Sequence, residues 1–168
     1  METDEATVHK LLAKFINNPN KEVLQKFIAY TKEFNKRMFS ILNYSKEKQC
    51  ATLLDAEQSY IQQYIFSSSL YFIKQINNNN AIALITVQSY LRESKELVYK
   101  YEKFCRKNNL PLTIKLVRGA YINEEKIYSM EKGIECPVRD DIESTHEAYN
   151  HLAEFIQSNY QKGDKVRI

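Results

Sequence analysis

The sequence predicts an α/β fold with parallel strands, and three observations carry that reading. Nearly continuous apolar runs begin near residues 50, 81 and 112, about 31 residues apart, with a helical pattern between each pair; a βαβ unit needs roughly 30 residues or more. Strands that are apolar on both faces belong to parallel sheets covered by helices. Only 3 Gly and 3 Pro punctuate 168 residues, and so few turn residues favour long helices with brief connections over an all-β fold.

Taken in order, the elements follow from spacing. Leu11, Leu12, Phe15 and Ile16 make a short helix that stops at Asn17-Asn18-Pro19-Asn20, a natural breaker. Leu24, Phe27, Ile28, Thr31, Phe34, Met38, Ile41 and Leu42 recur at three- and four-residue steps and build one apolar stripe. Residues 1–46 therefore read as a helical segment and 47–168 as the α/β region. Cys50–Leu54 is a first strand ending in an acid, Asp55, and helical spacing resumes through Ile61, Tyr64 and Ile65. Asn77–Asn80 reads as a loop expansion. Ala81–Val87 is a second strand capped by Gln88; Leu91, Leu97, Val98, Tyr101, Phe104 and Cys105 form the next helix face. Leu112–Val117 is a third strand running into Arg118-Gly119, followed to Arg139 by a short helix and a loop. Ile142, Thr145, Tyr149, Leu152, Phe155 and Ile156 share a face of a last helix, with Asp140 and Glu143 as a capping box at its start. Lys165–Ile168 begins a fourth strand.

Composition closes several doors. With 43% hydrophobic and 27% charged residues the chain is neither disordered nor fibrous. A net charge of +3 is too weak to imply a nucleic-acid surface. The longest apolar runs are about five residues, against the roughly 20 that cross a bilayer, and the acidic opening METDEATVHK has the character of neither a signal nor a transit peptide. Three cysteines without a CxxC read as reduced thiols. His146 and His151, five apart on a helix, do not share a face, and no metal-ligand spacing occurs. His9 reads as a solvated helix residue. The 12 Tyr read as core and edge packing rather than a stacking platform. Neither GxGxxG nor GxxxxGK[ST] is present.

The chemistry concentrates where strands end. In parallel α/β proteins the ligand lies at the carboxyl ends of the strands, and those ends carry Asp55-Ala56-Glu57, Gln88 and Arg118-Gly119, with Lys115 inside its strand. An amine within a buried strand is costly unless it meets a carboxylate, a phosphate or a cofactor. A purely structural Asp55–Lys115 ion pair, or a snorkelling lysine, is the other reading of the same residues.

Three segments taken together resemble a known family: Leu53-Leu54-Asp55-Ala56-Glu57-Gln58-Ser59-Tyr60, Thr86-Val87-Gln88-Ser89-Tyr90-Leu91 and Lys115-Leu116-Val117-Arg118-Gly119-Ala120-Tyr121. In order and spacing they are similar to the FAD-dependent proline dehydrogenases, and the DAEQ and KLVRGAY forms resemble the eukaryotic, mitochondrial branch. The likeness runs from about residue 46 to 160 and includes Glu143, Thr145 and Tyr149. Hydroxyproline dehydrogenase shares this architecture.

The resemblance implies part of a distorted (β/α)8 TIM-type barrel, preceded by the helical segment, with FAD held non-covalently over the strand ends. It implies hydride transfer from C5 of L-proline to the flavin, yielding 1-pyrroline-5-carboxylate, with electrons passed to a membrane quinone on the matrix side of the inner mitochondrial membrane. By motif, Asp55 and Lys115 are the active-site carboxylate and cation, Ala56 lies against the flavin and Gln88 hydrogen-bonds it. Val117, Arg118 and Gly119 form the flavin-contacting turn, and Tyr121 faces the substrate pocket. No metal or nucleic acid is implied. The family's early-strand lysine, its Ser/Thr-His-Asn segment and its paired-arginine helix have no counterpart here, so the sequence reads as a middle slice of the barrel, with little turnover expected from these residues alone. Two other readings stand beside it: an aldolase-type barrel in which Lys115 forms a Schiff base, and a truncated, non-catalytic barrel fragment.

Overall fold

The computed structural model describes residues 32–78, 80–161 and 166–167, with the single positions Glu22, Gln25 and Ala29. Helix α1 (Lys32–Glu47) leads into strand β1 (Thr52–Leu54) and helix α2 (Ser59–Ile76). Then come β2 (Ala83–Gln88), α3 (Ser94–Lys107) and β3 (Leu112–Val117). Two helices, α4 (Ile122–Lys132) and α5 (Ile142–Gln161), precede β4 (Val166–Arg167). The short helix expected at 11–16, the positions Leu24, Phe27, Ile28 and Thr31, and His9 lie outside the described residues.

The four strands pair in the order β1-β2-β3-β4, every pair parallel. An open doubly wound sheet reverses its order at a switch point; an uninterrupted progression of βα units is the wall of a barrel. All six residues of β2 are buried, which explains why the run from Ala83 reads as continuously apolar. Its core is closed by Phe66, Phe72, Ile73, Val98, Tyr101, Leu152 and Ile156 from the helices. Tyr101 is fully buried and shares a 2.8 Å hydrogen bond with the Thr113 hydroxyl, so at least this tyrosine packs as core with its hydroxyl satisfied.

Several expectations need correction. The α1 stripe is narrower than its spacing suggests: Leu42 is buried and Met38 and Phe39 pack on the core, but Ile41 is 51% and Phe34 39% exposed. Leu91 is not in a helix; it is buried in an antiparallel bridge with Val138, and α3 starts at Ser94. The cap of α5 is Asp141, whose carboxylate accepts from the Ser144 N–H at 2.7 Å, while Asp140 is drawn away by Arg92 at 2.6 Å. Asn77 is more than loop expansion. It is buried, its Oδ1 accepts from the N–H groups of Ile82 (3.1 Å) and Ala83 (2.8 Å), and its Nδ2 donates to the Ala83 carbonyl at 2.8 Å. One side chain thus satisfies the backbone that enters β2, where an unpaired buried group would be costly. The three cysteines are free thiols, Cys50 exposed and Cys105 buried.

Candidate functional site

The register explains how a carboxylate, a hydroxyl and an amine come to lie in one row. Leu54 pairs with Ile85 and Thr86 pairs with Lys115, so Asp55, the residue after β1, falls beside Thr86, with Lys115 one strand further on. Lys115 Nζ donates to Asp55 Oδ1 at 2.6 Å, and the Thr86 hydroxyl donates to the same oxygen at 3.0 Å. This row opens into a cleft of about 370 Å³ at the carboxyl ends of β1, β2 and β3. All eight residues singled out by sequence line it: Asp55, Ala56, Gln88, Lys115, Val117, Arg118, Gly119 and Tyr121.

The pair sits at the mouth, not inside a buried strand as its sequence position suggested: the Lys115 side chain is 41% and that of Asp55 64% exposed. The hydrogen bond from Lys115 holds the Asp55 carboxyl below its ordinary value, against the opposing effect of burial and with help from Thr86. An exposed pair of this kind is worth about 0–1 kcal/mol of stability, too little to make stability alone a reason for the arrangement.

Around this row the turns are pinned by long polar side chains. Gln88 is buried, and its amide donates to the Glu57 carbonyl at 2.7 Å; the Glu57 N–H donates to Gln62 Oε1 at 3.0 Å. The Tyr121 phenol is raised above its ordinary value, first by its hydrogen bond with Glu57 and then by desolvation and nearby carboxylates. It therefore stays protonated at neutral pH. Pairing of β2 and β3 continues past the strands, with the Ser89 N–H on the Val117 carbonyl (2.8 Å) and the Tyr90 N–H on the Arg118 carbonyl (2.7 Å).

Gly119 has φ +134°, and a Cβ there would lie 2.3 Å from Tyr90 Cδ1. The missing side chain makes room for the Tyr90 ring. Arg118 is held from α5: its Nε donates to His146 Nδ1 at 2.8 Å, and its guanidinium stands 4.3 Å from the Tyr149 ring centre. A second cavity of similar size adjoins the first across Arg118 and Gly119, with Lys126, Arg139 and Thr145 among its other walls.

Sequence reasoning missed Thr86 and His146 as parts of the site, and placed Glu57 at a strand end without giving it a role. Thr86 was signalled by its place two residues before Gln88 on the same strand face, and His146 by its spacing of three from Tyr149 on α5. Among the described residues, no group of three or more His, Cys, Asp or Glu is placed to hold a metal ion, and no helix is long and apolar enough to cross a membrane.

Polar groups converging at the carboxyl ends of a parallel barrel wall are the arrangement of a (β/α)-barrel enzyme. Residues 2–166 match the proline dehydrogenase family, and the chain belongs to that family. It is 31% identical over 131 residues to the mitochondrial proline dehydrogenase 1 of Arabidopsis thaliana, covering 76% of this chain and 26% of the plant protein. It is also 29% identical over 135 residues to a hydroxyproline dehydrogenase of Xenopus laevis, covering 78% of this chain and 29% of that protein. The fold matches the crystal structure of proline utilization A from Bdellovibrio bacteriovorus inactivated by N-propargylglycine. There the TM-score is 0.75 at 25% identity, with 82% of this chain and 14% of that one covered. The chain thus spans about a quarter of the length of the curated relatives it matches.

Proposed function

We propose that this chain is the part of an FAD-dependent proline dehydrogenase that carries the flavin-facing strand ends. Its reaction is the oxidation of L-proline to 1-pyrroline-5-carboxylate. The observation that carries the reading is the Lys115–Asp55 pair at 2.6 Å, held by Thr86 at the mouth of the cleft, in a chain of this family. The relatives' mitochondrial names support a mitochondrial location, and the chemistry calls for an electron acceptor, which we take to be quinone at the inner membrane.

The donor set suits a flavin. The cleft falls within the roughly 300–1,000 Å³ of small-ligand sites, and the neighbouring cavity across Arg118 and Gly119 extends it into a groove suited to an elongated cofactor. When bound, FAD supplies the hydride acceptor. Lys115 supplies a fixed positive charge where negative charge develops, the most effective form of electrostatic assistance. Asp55, ionised throughout the neutral range, orients that ammonium, and Thr86 locks Asp55. Ala56 and Val117–Gly119, which line the cleft, would hold the flavin, and Gln88 holds the turn that carries Glu57. Tyr121 and Glu57 line the same cleft on the substrate side.

The test is proline-dependent reduction of an artificial electron acceptor by the complete FAD-loaded protein, beside Lys115→Met. Turnover lowered by roughly 10²–10³ with FAD still bound supports the reading. Undiminished turnover in Lys115→Met removes the cation from the mechanism. Borohydride-dependent labelling of Lys115 with a carbonyl substrate would instead support the Schiff-base alternative. The Xenopus relative makes one comparison worthwhile: a higher kcat/KM for 4-hydroxyproline than for proline would reassign the substrate.

A further inference from the structure

Helix α2 starts without a local cap. The N-cap residue Gln58 makes no side-chain capping bond, and the first turn holds no acid, although its free N–H groups and dipole call for a negative acceptor. The acceptor comes from elsewhere. Glu125, 66 residues further on and fully buried, accepts from the Ser59 N–H with one carboxylate oxygen and from the Ser59 hydroxyl with the other, the latter at 2.6 Å.

Capping alone would be met by Ser, Asp or Asn at position 58 without burying an acid. What Glu125 adds is a connection between the two turns that build the cleft. The turn 55–58 joins β1 to α2 and carries Asp55, Ala56 and Glu57; the turn 118–121 joins β3 to α4 and carries Arg118, Gly119 and Tyr121. Glu125 lies in the first turn of α4, where its own N–H donates to the Tyr121 carbonyl at 2.9 Å. One further contact joins the same pieces: the Tyr60 and Tyr128 rings meet at 4.6 Å between centres.

The geometry points to Glu125 as a positioning residue: its buried carboxylate, clamped on the start of α2, sets the distance between the Asp55 turn and the Tyr121 turn, and so the width of the cleft. This inference rests on reading that cleft as the active site. Misplacement of reacting groups by about 1 Å costs up to a hundredfold in rate, so the clamp acts on catalysis without touching substrate.

The test separates clamp from cap. In the complete FAD-loaded protein, Glu125→Ala should lower kcat/KM for proline roughly tenfold to a hundredfold and speed amide hydrogen exchange in both 55–58 and 118–121. Glu125→Gln, which keeps an acceptor for the Ser59 N–H, should recover most of both. Gln58→Ser added to Glu125→Ala restores a local cap and should raise the melting temperature again, while kcat/KM and the exchange of 118–121 stay altered. Recovery of all three together would reduce Glu125 to a stabilising cap and overturn the inference, as would unchanged exchange at 118–121 in Glu125→Ala. Should Glu125→Ala not fold, Ser59→Ala, which removes one of the two bonds, reports the same exchange pattern in milder form, and unchanged exchange there is equally fatal. If even the unsubstituted protein fails to oxidise proline, the functional reading falls, while the exchange data still decide the clamp.

Discussion

At the scale of single residues, the two sides of the cleft mouth answer to different physics. Asp55 is exposed, and its carboxyl lies below its ordinary value because Lys115 donates to it. A lowered acid contributes stability that is complete above its unfolded value and is lost as pH falls through the folded one. The stability difference between the protein and Asp55→Asn should therefore be present at neutral pH, amount to at most about 1 kcal/mol, and shrink below about pH 4. Thermal melts across pH measure it directly. In the complete enzyme Asp55→Ala should cost turnover far more than stability; a collapsed melting temperature with unchanged turnover per folded molecule would restore the structural ion pair. Gly119 is governed by sterics instead. With φ +134° and the Tyr90 ring 2.3 Å from any added Cβ, Gly119→Ala should destabilise by about 2–4 kcal/mol through backbone strain and overpacking together. An unshifted denaturation midpoint would show that the ring yields freely.

At the scale of elements, helices and strands are joined by side chains that finish backbone hydrogen bonding. Asn77 closes α2 and opens β2 with three hydrogen bonds to buried backbone. Asn77→Ala should cost about 1–3 kcal/mol, the price of leaving such groups unsatisfied. Asn80→Ala, three residues on, removes only an exposed contact with Gln49 and should stay within roughly 0.5 kcal/mol. Equal effects in chemical denaturation would mean that the loop, not the Asn77 amide, secures this connection. The contrast matters because four consecutive asparagines look alike in sequence, yet one of them anchors the strand that carries Thr86 and Gln88.

At the scale of the whole molecule, the core is reported by a thiol. Cys105 is buried among the residues that close the sheet, and burial pushes its thiol up to about 12, whereas Cys50 is exposed. Thiol nucleophilicity follows thiolate content and access. An alkylating reagent should therefore modify Cys50 in the folded protein, and Cys105 only at the rate of global or sub-global opening. Parallel labelling of both, followed by peptide mass analysis, would contradict a closed core around β2 and α3.

Much of this architecture was legible from residues that are near one another in the chain. The spacing of three apolar runs, the continuity of β2 and the polar residues at strand ends are local patterns, because side-chain period and strand burial act over a few residues. They were enough to bring Asp55, Gln88, Lys115 and Arg118 forward as one group, whereas Tyr121 was reached only through the family resemblance. What the fold alone decided is pairing between distant positions: Glu125 with Ser59, Arg118 with His146, Gly119 with Tyr90, Leu91 with Val138. A buried acid in a helix, a histidine without a metal pattern or a glycine after an arginine carries no local mark of its partner. Its environment is set only when packed elements choose which polar groups lose water and must be satisfied.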